Sequence, residues 1–175
     1  MGSINLTGSF IIGGIVLLTL LFVQSNIKDF QRSQIINEFT ESSMVSMSNV
    51  VDYDFNKIGY RVTTNPKISS INGSSISFLS DLNNNGTVDS VKYFIRTLSG
   101  KQYLVRRTFE NSASEYQMAI SNFLIQGYDS LNSATFTVAN IKSVDVKIVI
   151  DNNAFRSDTT SNFGSYYQRR YFIHN

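Results

Sequence analysis

The sequence predicts an α+β fold, in which a long N-terminal helix, first hydrophobic and then amphipathic, packs on a C-terminal antiparallel β-sheet head. Three observations carry this. A run from Gly8 to Val23 is apolar on every helical face, an amphipathic periodicity continues from it without a break, and the remainder alternates like strands. The organisation expected is a short leader over 1–8, a stalk helix over 9–60 whose first half is transmembrane or filament core, and a β-rich globular head over 61–175.

The apolar run of about 16 residues falls just short of the ~18–20 of a spanning helix, and Leu6 and Thr7 extend it. A cleaved secretory signal is the competing reading. It lacks support here, because MGSINLTG holds no Lys or Arg and Val23-Gln24-Ser25 leads into further helix, with no cleavage motif. Beyond Val23, Ile27, Phe30, Ile35, Ile36, Phe39, Met44, Met47, Val51, Phe55 and Ile58 recur at steps close to the 3.6-residue period. Lys28, Asp29, Arg32, Glu38 and Glu41 lie between them. One helix over Ser9 to Ile58 would be ~75 Å long, more than a head of this size can cover, so its first half must be buried in lipid or other subunits. Gly59 is the expected stop, and Pro66 requires the helix to have ended by Asn65.

Strands are expected at Ile76–Leu79, Val88–Arg96 and Gln102–Phe109, a three-stranded meander, and at Ala134–Val138, Val144–Ile150 and Tyr166–Ile173. Met118 to Tyr128 suits a strand or a short helix, and the Ser/Thr/Asn-rich stretch from Asn152 to Ser165 reads as an exposed loop. With 42% hydrophobic and 13% aromatic residues in 175, the part after the helix can bury a core. Fifteen Lys+Arg against 13 Asp+Glu, a net charge of +2, is too small an excess to imply nucleic acid. The absence of cysteine excludes thiol chemistry. His174 is the single histidine and is expected to be exposed or frayed, Asp52 and Asp54 are spaced like surface residues, and no GxSxG, Walker, HExxH or dinucleotide motif occurs. No enzyme and no cofactor are therefore expected.

Several stretches resemble the type IV pilin and pseudopilin superfamily, most closely the minor pilins of PilW/PulJ type. They are the leader ending at Gly8 with an apolar helix behind it, the helix end VDYDFNKIGY (51–60), the hairpin ISFLSDLNNNGTVDSVKYFI (76–95), YLVRR (103–107) and IKSVDVKI (141–148). The resemblance implies processing between Gly8 and Ser9, and an inner-membrane subunit of a bacterium that leaves the bilayer for a helical filament at the cell surface. Its partners would be copies of itself or other pilin-like subunits. The family's leader is usually basic, and a glutamate usually stands at the fifth mature position; here the leader is uncharged and that position is Gly13. Assembly would then rest on packing by Phe10, Gly13, Gly14, Ile15, Leu18, Phe22, Ile27 and Phe30, with Gly13, Gly14 and Thr19 allowing close approach.

Two further patterns are open to more than one reading. Asp81-Leu82-Asn83-Asn84-Asn85-Gly86-Thr87-Val88-Asp89 matches the first nine positions of a calcium loop, with Asp81, Asn83, Asn85 and Asp89 as Ca2+ ligands. Lys92 stands where a bidentate glutamate belongs, and Asn85-Gly86 is also a hairpin-turn signal. Arg106-Arg107 and Arg169-Arg170, with Tyr103, Phe109, Tyr167, Tyr171 and Phe172, would form a basic-aromatic patch if their strands lay side by side. The alternative to a filament subunit is a singly anchored periplasmic or surface domain for adhesion or DNA uptake.

Overall fold

The computed structural model describes residues 2–109, 113–151 and 163–174, with side chains from Gly8 onward. Helix α1 runs over Gly2–Phe55 without interruption. It therefore takes in the expected leader and ends three residues earlier than the periodicity predicts. The reason lies in the final turn. Lys57 N bonds to Asp54 O and Ile58 N to Phe55 O, tightening the chain, and Gly59 at φ 78° then turns its N–H to Leu79 O.

The chain divides into two units, Met1–Phe39 and Thr40–Asn175. In the second unit the strands are β1 (Ile68–Asn72), β2 (Ser75–Ser80), β3 (Asp89–Leu98), β4 (Lys101–Phe109), β5 (Ala113–Ile120), β6 (Asn122–Tyr128), β7 (Ala134–Thr135), β8 (Ser143–Asp151) and β9 (Gly164–Phe172). They form two antiparallel sheets, a five-stranded meander β1-β2-β3-β4-β5 and a four-stranded sheet β7-β6-β8-β9. The fold is thus α+β, a helix followed by antiparallel sheets. The segment Met118–Tyr128 is strand, but it is cut at Ser121 into the end of one sheet and the start of the other. Ser121 joins them, its N–H donating to Val149 O while its hydroxyl oxygen accepts from Asp151 N. Most of the loop expected over Asn152–Ser165 lies outside the described residues.

The core explains the helix's second half. Met44, Met47, Val51, Phe55 and Ile58, at steps of three and four, are buried with Ile76, Phe78, Val91 and Tyr93 of the first sheet and Val144, Val146, Ile148 and Tyr171 of the second. Phe55 is the centre. Its ring lies 5.4 Å from Phe78, 5.2 Å from Tyr93 and 5.3 Å from Tyr171, each in a tilted arrangement favourable to aromatic pairs.

Candidate assembly helix and its anchor on the sheets

From Ser9 to Ile35 every residue of α1 is exposed. The positions expected to serve assembly are among them, with Phe10 80%, Phe22 68% and Phe30 65% exposed. At 100° per residue, Phe10, Ile15, Leu18, Phe22, Ile27 and Phe30 are spread around the whole helix, so they form a cylinder with no single seam. A Cβ added at Gly13 or Gly14 would meet nothing within 4 Å, leaving both backbones open to close approach by a neighbour. The Thr19 hydroxyl donates to Ile15 O at 2.8 Å, which satisfies it without water.

Lys28 is the first charged residue. The uncharged helix from Gly2 to Ile27 is thus ~39 Å long, enough to cross a hydrocarbon core of ~30 Å. By length and composition α1 is a candidate membrane anchor, and among the described residues no other helix is one. The backbone around Gly8 and Ser9 is regular helix, so the expected processing site lies within the first turns of α1.

The same helix is tied to the sheets by three consecutive residues. Because neighbours on a helix point 100° apart, Asp52, Tyr53 and Asp54 reach three different elements. Asp54 is fully buried, correcting its expected surface position. Its carboxylate accepts from Tyr93 Oη at 2.6 Å on β3 and from Arg106 Nε and Nη2 at 2.5 and 2.9 Å on β4. A buried carboxylate is tolerated only with such partners, and a bidentate guanidinium is the strongest of them. Burial and the Asp54 charge raise the Tyr93 hydroxyl well above its usual pKa, and Asp54 holds Arg106 protonated. Asp52 faces β9, where Tyr167 donates at 2.6 Å, Arg169 at 2.8 Å, and Tyr171 as well. Burial pushes the Asp52 carboxyl upward, but these donors outweigh it and leave the pKa lowered. Burial and the bond to Asp52 push Tyr167 up to about 12. Tyr53 donates to Leu82 O at 2.6 Å, and Lys57 Nζ donates to the same carbonyl and to Asn84 Oδ1.

The loop over 81–88 is closed by the pair Ser80 and Asp89. It is no two-residue Asn-Gly turn, since Asn84 (φ 60°) and Gly86 (φ 86°), not Asn85, are left-handed. The loop folds around Asp81, whose carboxylate accepts from Asn85 N, Gly86 N and Arg61 Nη1 at 3.1, 3.0 and 3.2 Å. Asn83 Oδ1 accepts from Asn85 N, Asn85 Oδ1 from Thr87 N, and Asp89 from Leu82 N. Asp81, Asn83 and Asn85 stand on this loop and Asp89 at the start of β3, each accepts at least one backbone N–H, and the Arg61 guanidinium lies against Asp81. Among the described residues no group of three or more His, Cys, Asp or Glu forms a metal cluster.

The basic-aromatic patch is not assembled. β4 pairs with β3 and β5, β9 pairs with β8, and the two arginine pairs stand on different sheets. Arg106 holds Asp54, Arg107 shares Glu115 with Arg96, Arg169 holds Asp52, and Arg170 donates to Asn132 and lies over the Tyr128 ring. His174 is exposed but anchored, with its N–H bonded to Ile58 O and its Nε2 to Asn56 O. Comparisons of the chain with family models, with curated proteins and with solved structures find no match.

Proposed function

We propose that this protein is a structural subunit of a type IV pilus-like filament, an atypical relative of the PilW/PulJ-type minor pilins. The observation that carries this is one helix with two kinds of surface. From Ser9 to Ile27 it is uncharged and exposed, and its later part is held to two sheets by Met44, Val51 and Phe55 and by the carboxylates of Asp52 and Asp54. A cylinder apolar all round suits a bilayer and, equally, the centre of a helical filament where several neighbours contact it at once.

The subunit would wait in a bacterial inner membrane and exchange lipid contacts for helix contacts on assembly. After processing at Gly8, Gly13 stands where the family's glutamate would pair with a neighbour's amino terminus, so cohesion comes from packing by Phe10, Ile15, Leu18 and Phe22. Lys28, Asp29, Arg32, Glu38 and Glu41 would set register between subunits. The test is a shearing experiment on the producing cells. The proposal expects the chain in sheared surface filaments of regular helical repeat; recovery only by detergent, as a monomer, would replace it with a singly anchored domain.

A further inference from the structure

A cavity of about 480 Å3 opens where three distant segments meet, and it takes no part in the anchor described above. Its walls are Asn65–Ile68 at the entry to β1, Val138, Ala139, Ile141 and Lys142 before β8, and Ile173 and His174 after β9. Main-chain bonds fix all three. Lys67 O accepts from Leu79 N at 2.9 Å, Lys142 O from Ile173 N at 3.1 Å, and Ile58 O from His174 N at 3.0 Å. The cavity is therefore formed before any ligand arrives, and its volume lies in the range of about 300–1,000 Å3 usual for small-molecule sites.

Its chemistry is lopsided. Pro66, Ile68, Val138, Ile141 and Ile173 supply apolar lining, Lys67 and Lys142 are its two ammonium-bearing residues, and among the described residues no Asp or Glu lines it. Lys67 gives one N–H to Val62 O, which leaves two of its three donors. Lys142 is exposed and makes no ion pair or side-chain hydrogen bond among the described residues. His174 adds no acceptor at Nε2, because a nitrogen bonded to the Asn56 carbonyl must carry the proton.

From this the geometry points to a binding site for a small organic anion, a carboxylate on a short apolar body, with the carboxylate held by Lys67 and Lys142 and the body on Ile68, Val138, Ile141 and Ile173. Inorganic phosphate would leave the apolar lining unused, and a neutral hydrocarbon would leave the ammonium groups unmatched. The site is independent of whether the chain polymerises.

The test is a titration of the full-length chain in non-ionic micelles with 4-phenylbutyrate, its uncharged amide, or inorganic phosphate, read from the methyl NMR signals. Saturable shifts at Ile68, Val138, Ile141 and Ile173 are expected with phenylbutyrate, with the amide and phosphate at least about tenfold weaker. Lys142→Met, which alters only an exposed side chain, should weaken phenylbutyrate by about threefold, and Lys67→Met/Lys142→Met by about tenfold. Equal binding of acid and amide, an affinity unchanged in Lys142→Met, or shifts spread outside these methyls would each overturn the assignment.

Discussion

Replacing Asp54 by alanine removes the acceptor for three hydrogen bonds at once and leaves the Arg106 guanidinium and the Tyr93 hydroxyl behind in the interior. Breaking a buried pair from one side costs about 3–5 kcal/mol, because the remaining charge is uncompensated. The Arg106 side chain keeps 21% of its exposure, which places its share at about 3 kcal/mol. Tyr93 is 1% exposed, and its orphaned hydroxyl adds about 1 kcal/mol. The sum, about 4 kcal/mol, corresponds to a fall in melting temperature of about 10–20 °C for a unit of this size. Urea unfolding of the full chain in non-ionic micelles, followed by near-UV circular dichroism of its nine tyrosines, measures it. The paired variant Asp54→Leu/Arg106→Met removes both charges and should recover at least about half of the loss. A loss below about 1 kcal/mol for Asp54→Ala, or no recovery in the pair, would refute the anchor as the element that fixes α1 on the sheets.

Phe55→Ala should cost about 3–5 kcal/mol by the same assay, since its ring is fully buried among Phe78, Tyr93 and Tyr171. Gly127→Ala should cost about 1–3 kcal/mol, because its Cβ would stand 2.7 Å from Thr135 O and 2.9 Å from Ile141 Cδ1. Stability should fall in acid: the lowered pKa of Asp52 makes its contribution complete above the unfolded value of about 3.9 and lost as pH drops through the folded one. A melting series from pH 7 to about pH 2 should therefore show a shallower acid slope in Asp52→Asn than in the parent chain. An identical slope would remove Asp52 from the account.

Much of this architecture was legible because it is periodic. The helix, the meander of β2, β3 and β4, and the alternation of β8 all follow from spacing of apolar side chains, and the stripe from Met44 to Ile58 is the face that the core takes up. β1 and the first part of β5, before Met118, carry no clear strand signal for a physical reason: Ile-Ser-Ser-Ile-Asn and Ala-Ser-Glu-Tyr-Gln-Met-Ala-Ile occupy the two edges of the first sheet, where one side faces solvent and the apolar signal is diluted. The division into two sheets was hidden as well, since it turns on Ser121 and on pairings far along the chain. Asp54 looked like a surface residue because its partners lie 39 and 52 positions away. The cavity joins Asn65, Val138 and His174, which no local pattern connects.

The claim that exposed apolar helices are the cohesive element can be tested in the producing cell, where the absence of native cysteine makes introduced pairs unambiguous. Double-cysteine variants scanned across Phe10, Leu18, Phe22, Ile27 and Phe30 should, after oxidation, give ladders of many linked copies for some pairs. Head-to-tail contacts link each subunit to more than one neighbour, whereas a closed pair of copies stops at two. Ladders that vanish in every single-cysteine variant are the predicted result; monomers and dimers alone, for every pair scanned, would contradict it.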